Sequence, residues 1–96
     1  MYRETVLLSA PGEDLGDGPS WGADVPVRAR VDRQERLIRD STGEQRVVAG
    51  TFICKPDTDV QTGHRVTVDA AQRTVFTVAA AIGPTGRPRH LEVTFL

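Results

Sequence analysis

Four short runs rich in Val, Ile, Phe and Thr, at residues 47–54, 65–68, 73–80 and 90–96, are punctuated by Pro56-Asp57, Thr62-Gly63, Asp69-Ala70-Ala71 and Gly83-Pro84-Thr85-Gly86. Runs of roughly 4 to 8 residues with turn chemistry at this spacing predict a small antiparallel β-barrel or sandwich rather than an α/β fold. Within residues 73–80, Val75, Thr77 and Ala79 fall on one face and Phe76, Val78 and Ala80 on the other. That strand therefore reads as central, with both faces buried. The last run keeps Leu91, Val93 and Phe95 in phase, so the end of the chain is expected in the core or in an interface.

The N-terminal half is less regular. Residues 4–8 read as a first strand with Val6 and Leu8 on one face, and residues 9–24 are then dense in Gly, Pro, Asp and Ser. Such residues favour turns and positive φ, so this is a long loop with Leu15 inside it and Trp21 near its exit. Loops above about 12 residues in a compact domain are usually functional or disordered. Val25, Val27, Ala29 and Val31 alternate with Pro26, Arg28, Arg30 and Asp32, giving a half-buried strand with a largely basic second face. Pro26 has no N–H for a ladder and belongs at the strand's beginning or on an edge.

Residues 32–46 are the hardest to place. Asp32 with Arg36 and Glu35 with Arg39 suit a helix, but Leu37 and Ile38 alone make a poor apolar stripe, and Asp40-Ser41-Thr42-Gly43 reads as a turn. The segment is expected to be a charged excursion between two strands, with at most a short helical turn. The fold class is all-β: one small antiparallel barrel over residues 1–96, with long loops at about 9–24 and 32–46.

A 96-residue domain buries a limited core and gains from oligomeric support. With only 5% aromatic residues, that core must come mostly from Val, Ala, Leu and Ile. The net charge of −1 lacks the basic surplus of a sequence-independent nucleic-acid binder, although local basic patches are compatible with it. Lys55 is the one lysine among 12 basic residues; the arginine bias reflects either forked donors for interface ion pairs or GC-rich codon usage. Cys54 is the single cysteine, which excludes an intrachain disulfide, and its place after Thr51-Phe52-Ile53 predicts a buried structural thiol. No signal-peptide pattern opens the chain and no apolar run approaches about 18 residues, so synthesis and folding in the cytoplasm are expected, with no membrane partner.

No catalytic constellation emerges. His64 and His90 lie at strand starts without further ligands at metal spacing, and residues 57–63 lack the length and terminal Glu of an EF-hand loop. Gly16, Gly18 and Gly22 are not followed by Lys-Ser/Thr, and Ser9, Ser20 and Ser41 sit in no nucleophile elbow. The expectation is a protein without catalytic, metal or cofactor-binding residues, working through surfaces and loops. Trp21 is the best single interface candidate, and its alternative role is a lid over the barrel core. Leu15, Arg28 and Arg30 join it as candidate interface residues.

The order and spacing of several segments resemble a known family. These are Arg39-Asp40-Ser41-Thr42-Gly43-Glu44, Thr51-Phe52-Ile53-Cys54-Lys55-Pro56-Asp57-Thr58-Asp59-Val60, Gly63-His64-Arg65-Val66-Thr67-Val68, Arg73-Thr74-Val75-Phe76-Thr77-Val78 and His90-Leu91-Glu92-Val93. Together they resemble the head-closure, or stopper, proteins of long-tailed bacteriophages and related prophages, over roughly residues 25–96, with a looser fit before that. The resemblance is one of pattern, with no catalytic motif to anchor it.

It implies an SH3-like barrel in the virion's head-tail connector, assembled in the bacterial host cytoplasm. A homo-oligomeric ring of six or twelve copies would lie beneath the portal and head-tail adaptor. It would retain packaged double-stranded DNA and present a docking surface to the tail terminator or tail tube. A loop between the second and third barrel strands obstructs the channel in such proteins. By position that loop is residues 32–46 here, making Arg33, Glu35, Arg36, Arg39, Asp40, Glu44 and Arg46 the candidate channel residues; it is more compact and charged than in some relatives, and contact with the adaptor is the alternative to blocking the channel. The rival expectation is a small cytoplasmic SH3-like or OB-like module, with Trp21 and the Arg-rich strand as a protein-binding or nucleic-acid-binding face.

Overall fold

The computed structural model describes residues 2–12 and 21–96, and every regular element among them is a β-strand. In chain order these are β1 (Glu4–Ser9), β2 (Val25–Asp32), β3 (Arg36–Arg39), β4 (Gln45–Val48), β5 (Gly50–Cys54), β6 (Arg65–Val68), β7 (Ala71–Ile82) and β8 (Pro88–Phe95). Six of them close into an antiparallel barrel in the order β1-β2-β5-β8-β7-β6, and β3 and β4 form a separate two-stranded ribbon.

Closure depends on two strands that change partner along their length. β2 pairs with β1 over residues 25–29 and with β5 over residues 30–32. β7 pairs with β6 over residues 71–74 and with β8 from Val75 onward. A register shift between Val75 and Thr77 leaves Phe76 as an extra residue at the changeover, and such a bulge bends the strand there. Pro26 is the second residue of β2, where β5 does not yet pair, so its missing N–H interrupts no ladder on that side.

The inward faces of the two halves meet in a core of Val6, Leu8, Ala29, Phe52, Cys54, Val60, Val66, Val68, Val75, Val93 and Phe95. Valine dominates, as the composition requires, but isoleucine is absent and the centre is aromatic. Phe52 and Phe95 face each other with ring centroids 6.2 Å apart in a tilted arrangement, the offset geometry aromatic pairs prefer. Cys54 is fully buried, as its sequence context predicts.

Residues 32–46, expected as a charged excursion with at most a short helical turn, leave the barrel in the β3–β4 hairpin, with Leu37 opposite Val47 and Ile38 opposite Arg46. Two expectations need correction. The run at residues 47–54 is not one strand, because Ala49 separates β4 from β5 where the chain leaves the ribbon for the barrel. β7 is not buried on both faces either. Val75 is in the core, but Thr77, Ala79 and Ala80 are exposed because β7 runs on past β6, whose pairing ends at Thr74, and beyond Ala80 β7 and β8 continue as a second hairpin.

Both hairpins turn by the same device. Asp40 donates its N–H to the Glu44 carbonyl (2.9 Å) and Gly43 donates to the Asp40 carbonyl (3.1 Å), with Gly43 at φ +87°. Gly83 donates to the Arg87 carbonyl (2.9 Å) and Gly86 to the Gly83 carbonyl (3.0 Å), with Gly86 at φ +80°. This is the three-residue hairpin loop that ends in a left-handed residue, a position glycine fills without strain. The β6–β7 connection is different: Asp69 and Ala70 both have positive φ, 53° and 64°, as in a two-residue type I′ turn.

Alanine has no means of relieving the left-handed strain at position 70, which costs about 1–2 kcal/mol against a glycine entropy penalty of about 0.5–1 kcal/mol. Ala70→Gly is therefore expected to stabilise the barrel by about 0.5–1 kcal/mol, seen as a higher urea midpoint at unchanged slope. Gly50→Ala should act oppositely. Its Cβ would lie 2.5 Å from the Asp32 carbonyl oxygen and 2.9 Å from the Phe95 ring, an overpacking that costs about 1–3 kcal/mol.

Candidate functional site

The β3–β4 hairpin leaves the barrel between Asp32 and Gly50 and is organised by Asp40. One Asp40 carboxylate oxygen accepts from the Thr42 N–H (2.9 Å), the Thr42 hydroxyl (2.6 Å) and the Glu44 N–H (3.0 Å), while the other accepts from Arg46 Nε (3.2 Å). These bonds, led by the Thr42 hydroxyl, hold the Asp40 carboxyl below its ordinary value. Arg46 also lies over the Phe76 ring at 5.8 Å, so the residue displaced by the β7 bulge becomes a rest for the hairpin.

At the hairpin's root Arg33 forks between two chain segments. Its Nη1 donates to Glu4 Oε2 (3.1 Å) and its Nη2 to Glu4 Oε1, while Nε and Nη2 donate to the two Asp69 carboxylate oxygens (2.6 and 2.9 Å). The Arg33 hydrogen bonds are the leading cause that holds both carboxyls below the ordinary carboxylate range, and the two acids raise the Arg33 guanidinium in turn. Arg33, expected as a channel residue, thus lies against the barrel rather than out along the ribbon.

The other sequence candidates divide clearly. Arg36 pairs with Asp32 at 3.4 Å, one of the two i,i+4 pairs in the sequence, made here by extended chain. Glu35, Arg39 and Glu44 are exposed and make no ion pair among the described residues. Arg28 donates from Nε to the Tyr2 carbonyl (3.2 Å). Arg30 lines a shallow groove across β2, β5 and β8 with Asp32, Arg36, Thr51, Ile53 and Glu92. Leu15 lies outside the described residues.

Trp21 is absent from the core cluster and is 39% exposed, beside the Arg65 guanidinium at 4.9 Å from its ring centroid. Arg65 also approaches Asp24 (3.8 Å), which accepts from the Ser9 hydroxyl. Trp21 bridges Pro11 across the base of the loop, where the Gly22 N–H bonds to the Ala10 carbonyl at 2.8 Å.

Two features escaped the sequence reading. Leu37 and Val47, each 61% exposed, face each other on the open side of the ribbon. Their signal was the matched four-residue runs on either side of Asp40-Ser41-Thr42-Gly43. The second is an apolar groove of about 600 Å³, lined by Leu8, Val25, Pro26 and Val27 with Arg28, Lys55, Asp59 and His64 at its polar margin. It opens where the first half of β2 has, among the described residues, no strand partner beyond β1, a property of barrel closure with no local sequence signal. Burial pushes the Cys54 thiol up, with a Thr58 hydrogen bond opposing, and a thiol so held is a poor nucleophile at neutral pH.

The depressed carboxyls give a definite pH dependence. A group whose folded pKa lies below its unfolded value contributes stability above the ordinary carboxylate range and loses it as pH falls through the folded value. The urea midpoint should therefore hold down to about pH 5 and fall below about pH 4. Arg33→Gln should flatten part of that acid limb while leaving the hairpin turn intact, checked by urea titration at several pH values. Asp40→Ala should instead fray the ribbon without lowering barrel stability in proportion, visible as faster amide exchange at Thr42 and Glu44.

No protein-family model matches the chain, and no curated protein matches it in sequence.

Proposed function

We propose that the chain is a structural head-closure component of the head-to-tail joint of a long-tailed bacteriophage or prophage. It would act as a ring beneath portal and adaptor that holds packaged DNA and receives the tail. The observation that carries this reading is the β3–β4 ribbon. It is inserted between β2 and β5, the second and third barrel strands in chain order, where the resemblance implies the obstructing loop.

The ribbon's construction supports a steric role. Arg36 and Arg46 are paired with Asp32 and Asp40, and Asp40 also fastens the turn, so the ribbon is a braced hairpin in which Arg39 is the one cation without an ion pair among the described residues. The exposed Leu37–Val47 pair at its middle suits contact with a neighbouring protein surface. Trp21, with its indole partly open at the loop base, suits contact with an adjacent ring or the tail. The apolar groove favours a second reading, a free-standing module that binds a ligand. Imaging of virions separates the two: density for this chain between portal and tail supports the first and excludes the second.

Replacing residues 37–43 with a short Gly-Ser linker is expected to leave the barrel folded and the joint partly assembled. Packaged DNA should then become nuclease-sensitive in tailless heads. Full DNA protection with an intact joint would remove the obstructing role. Trp21→Ala should change the melting temperature little while weakening attachment by about 2 kcal/mol or more, read from tail joining in a complementation assay.

A further inference from the structure

We infer that the β7–β8 hairpin is a sequence-independent contact for the phosphodiester backbone of double-stranded DNA, made by Arg87 and Arg89; the choice of DNA as the polyanion rests on the head-to-tail reading above.

The electrostatic layout leads there. Between Asp69 and Glu92 the chain has no acidic residue, yet it carries Arg73, Arg87, Arg89 and His90. Most basic groups elsewhere are already engaged: Arg33 by Glu4 and Asp69, Arg36 by Asp32, Arg46 by Asp40, Arg65 by Asp24, and Arg28 by the Tyr2 carbonyl. Arg30, Arg39, Lys55 and Arg73 make no ion pair among the described residues either, but Arg30, Arg39 and Lys55 lie within two residues of Asp32, Asp40 and Asp57, whereas the stretch around Arg87 and Arg89 holds no acid. Arg87 and Arg89 are exposed and make no ion pair or side-chain hydrogen bond among the described residues. The nearest acid along the strand, Glu92, is turned to His90 at 3.4 Å.

The backbone presents these two side chains on a narrow, defined support. The Gly83–Arg87 and Gly86–Gly83 hydrogen bonds close the turn. A Cβ on Gly83 would lie 2.8 and 2.9 Å from Arg89 Cγ and Cδ, so the arginine stem lies close over a position that only glycine leaves open. Ala79, Ala80, Gly83, Thr85 and Gly86 keep the ribbon slim, and a two-stranded ribbon fits within a DNA groove. No Asn or Gln occurs between Arg73 and Leu91 to read a base edge, while a guanidinium fork matches phosphate, which fixes position and carries no sequence information.

One copy with two phosphate contacts should bind weakly, with log K falling against log salt at a slope of about −1.8. A ring would multiply the effect. The test is fluorescence anisotropy of a labelled mixed-sequence duplex titrated with the purified full chain at low ionic strength. Arg87→Gln with Arg89→Gln should lower affinity at least about tenfold and bring the salt slope close to zero, since each lost phosphate contact removes about one unit of it. Arg36→Gln with Arg39→Gln should change affinity less than about threefold, and changing the duplex sequence should have no effect. Gly83→Ala, which displaces the Arg89 stem, should fall between the two double variants, with thermal melts confirming that each remains folded.

No binding at low ionic strength, or equal binding by the Arg87/Arg89 variant, overturns the inference. So does a variant that binds DNA normally but fails in tail joining, which would make the hairpin a contact for an acidic protein. The head-to-tail reading is judged separately: density for the chain at the portal–tail junction keeps it even if DNA binding is absent. DNA binding through Arg87 and Arg89 keeps the inference even if the chain is absent from that junction.

Discussion

Closing six short strands into a barrel forces β2 and β7 each to serve two neighbours in succession, and most of the molecule's other properties descend from that sharing. A strand that leaves one partner for another must bend, and β7 does so at Phe76, where one residue drops out of register. The interior left between the two halves is narrow. It is filled mainly by valines around one aromatic pair, with Leu8, Ala29 and Cys54 completing the packing. Chain that cannot be used in closure is sent outward, as the ribbon between β2 and β5 and as the far ends of β7 and β8.

The two outward hairpins share a turn design but differ in electrostatics. The β3–β4 ribbon carries both signs of charge and consumes most of them in pairs within the chain, with one aspartate holding its turn. Exposed pairs of this kind contribute little stability each, but together they set the ribbon's shape and remove its net field. From Arg73 to His90 the β7–β8 hairpin carries only basic charge, Glu92 lower on β8 faces His90, and Arg87 and Arg89 near the tip have no ion-pair partner among the described residues. Stiffness and neutrality are thus concentrated in one projection, and available charge in the other.

How much of this was legible depended on whether the signal was local. The period-two runs and their turns were readable, as were the burial of Cys54 and the early position of Pro26, because each rests on properties within a few residues. The hairpin at residues 36–48 was obscured by i,i+4 charge pairs that suggest helix. Only Arg36–Asp32 forms, and it forms because extended side chains reach across the root of the ribbon. The Arg33 fork joins residues 29 and 36 positions away, and the apolar groove arises where two strands fail to meet. Both depend on closure, which no window of sequence contains. The exposure of Ala79 and Ala80 was missed for the same reason: their pattern is that of a buried strand, and only the length of β7 beyond β6 places them in water.

The Arg33 fork also determines how the molecule bears load. A pull on the tip of the β3–β4 ribbon enters the barrel where Asp32 faces Thr51, at the open end of the β2–β5 ladder. Loaded alone, that ladder would peel one hydrogen bond at a time. Arg33 stands immediately beyond Asp32 and holds the start of β1 and the β6–β7 turn, so part of the tension is led into two further strands and across the barrel. The tie is ionic, stretchable and remade in water within the reach of one side chain. A thrust on the ribbon would thereby be shared among three segments that are far apart in the chain, the start of β1, the end of β2 and the β6–β7 turn.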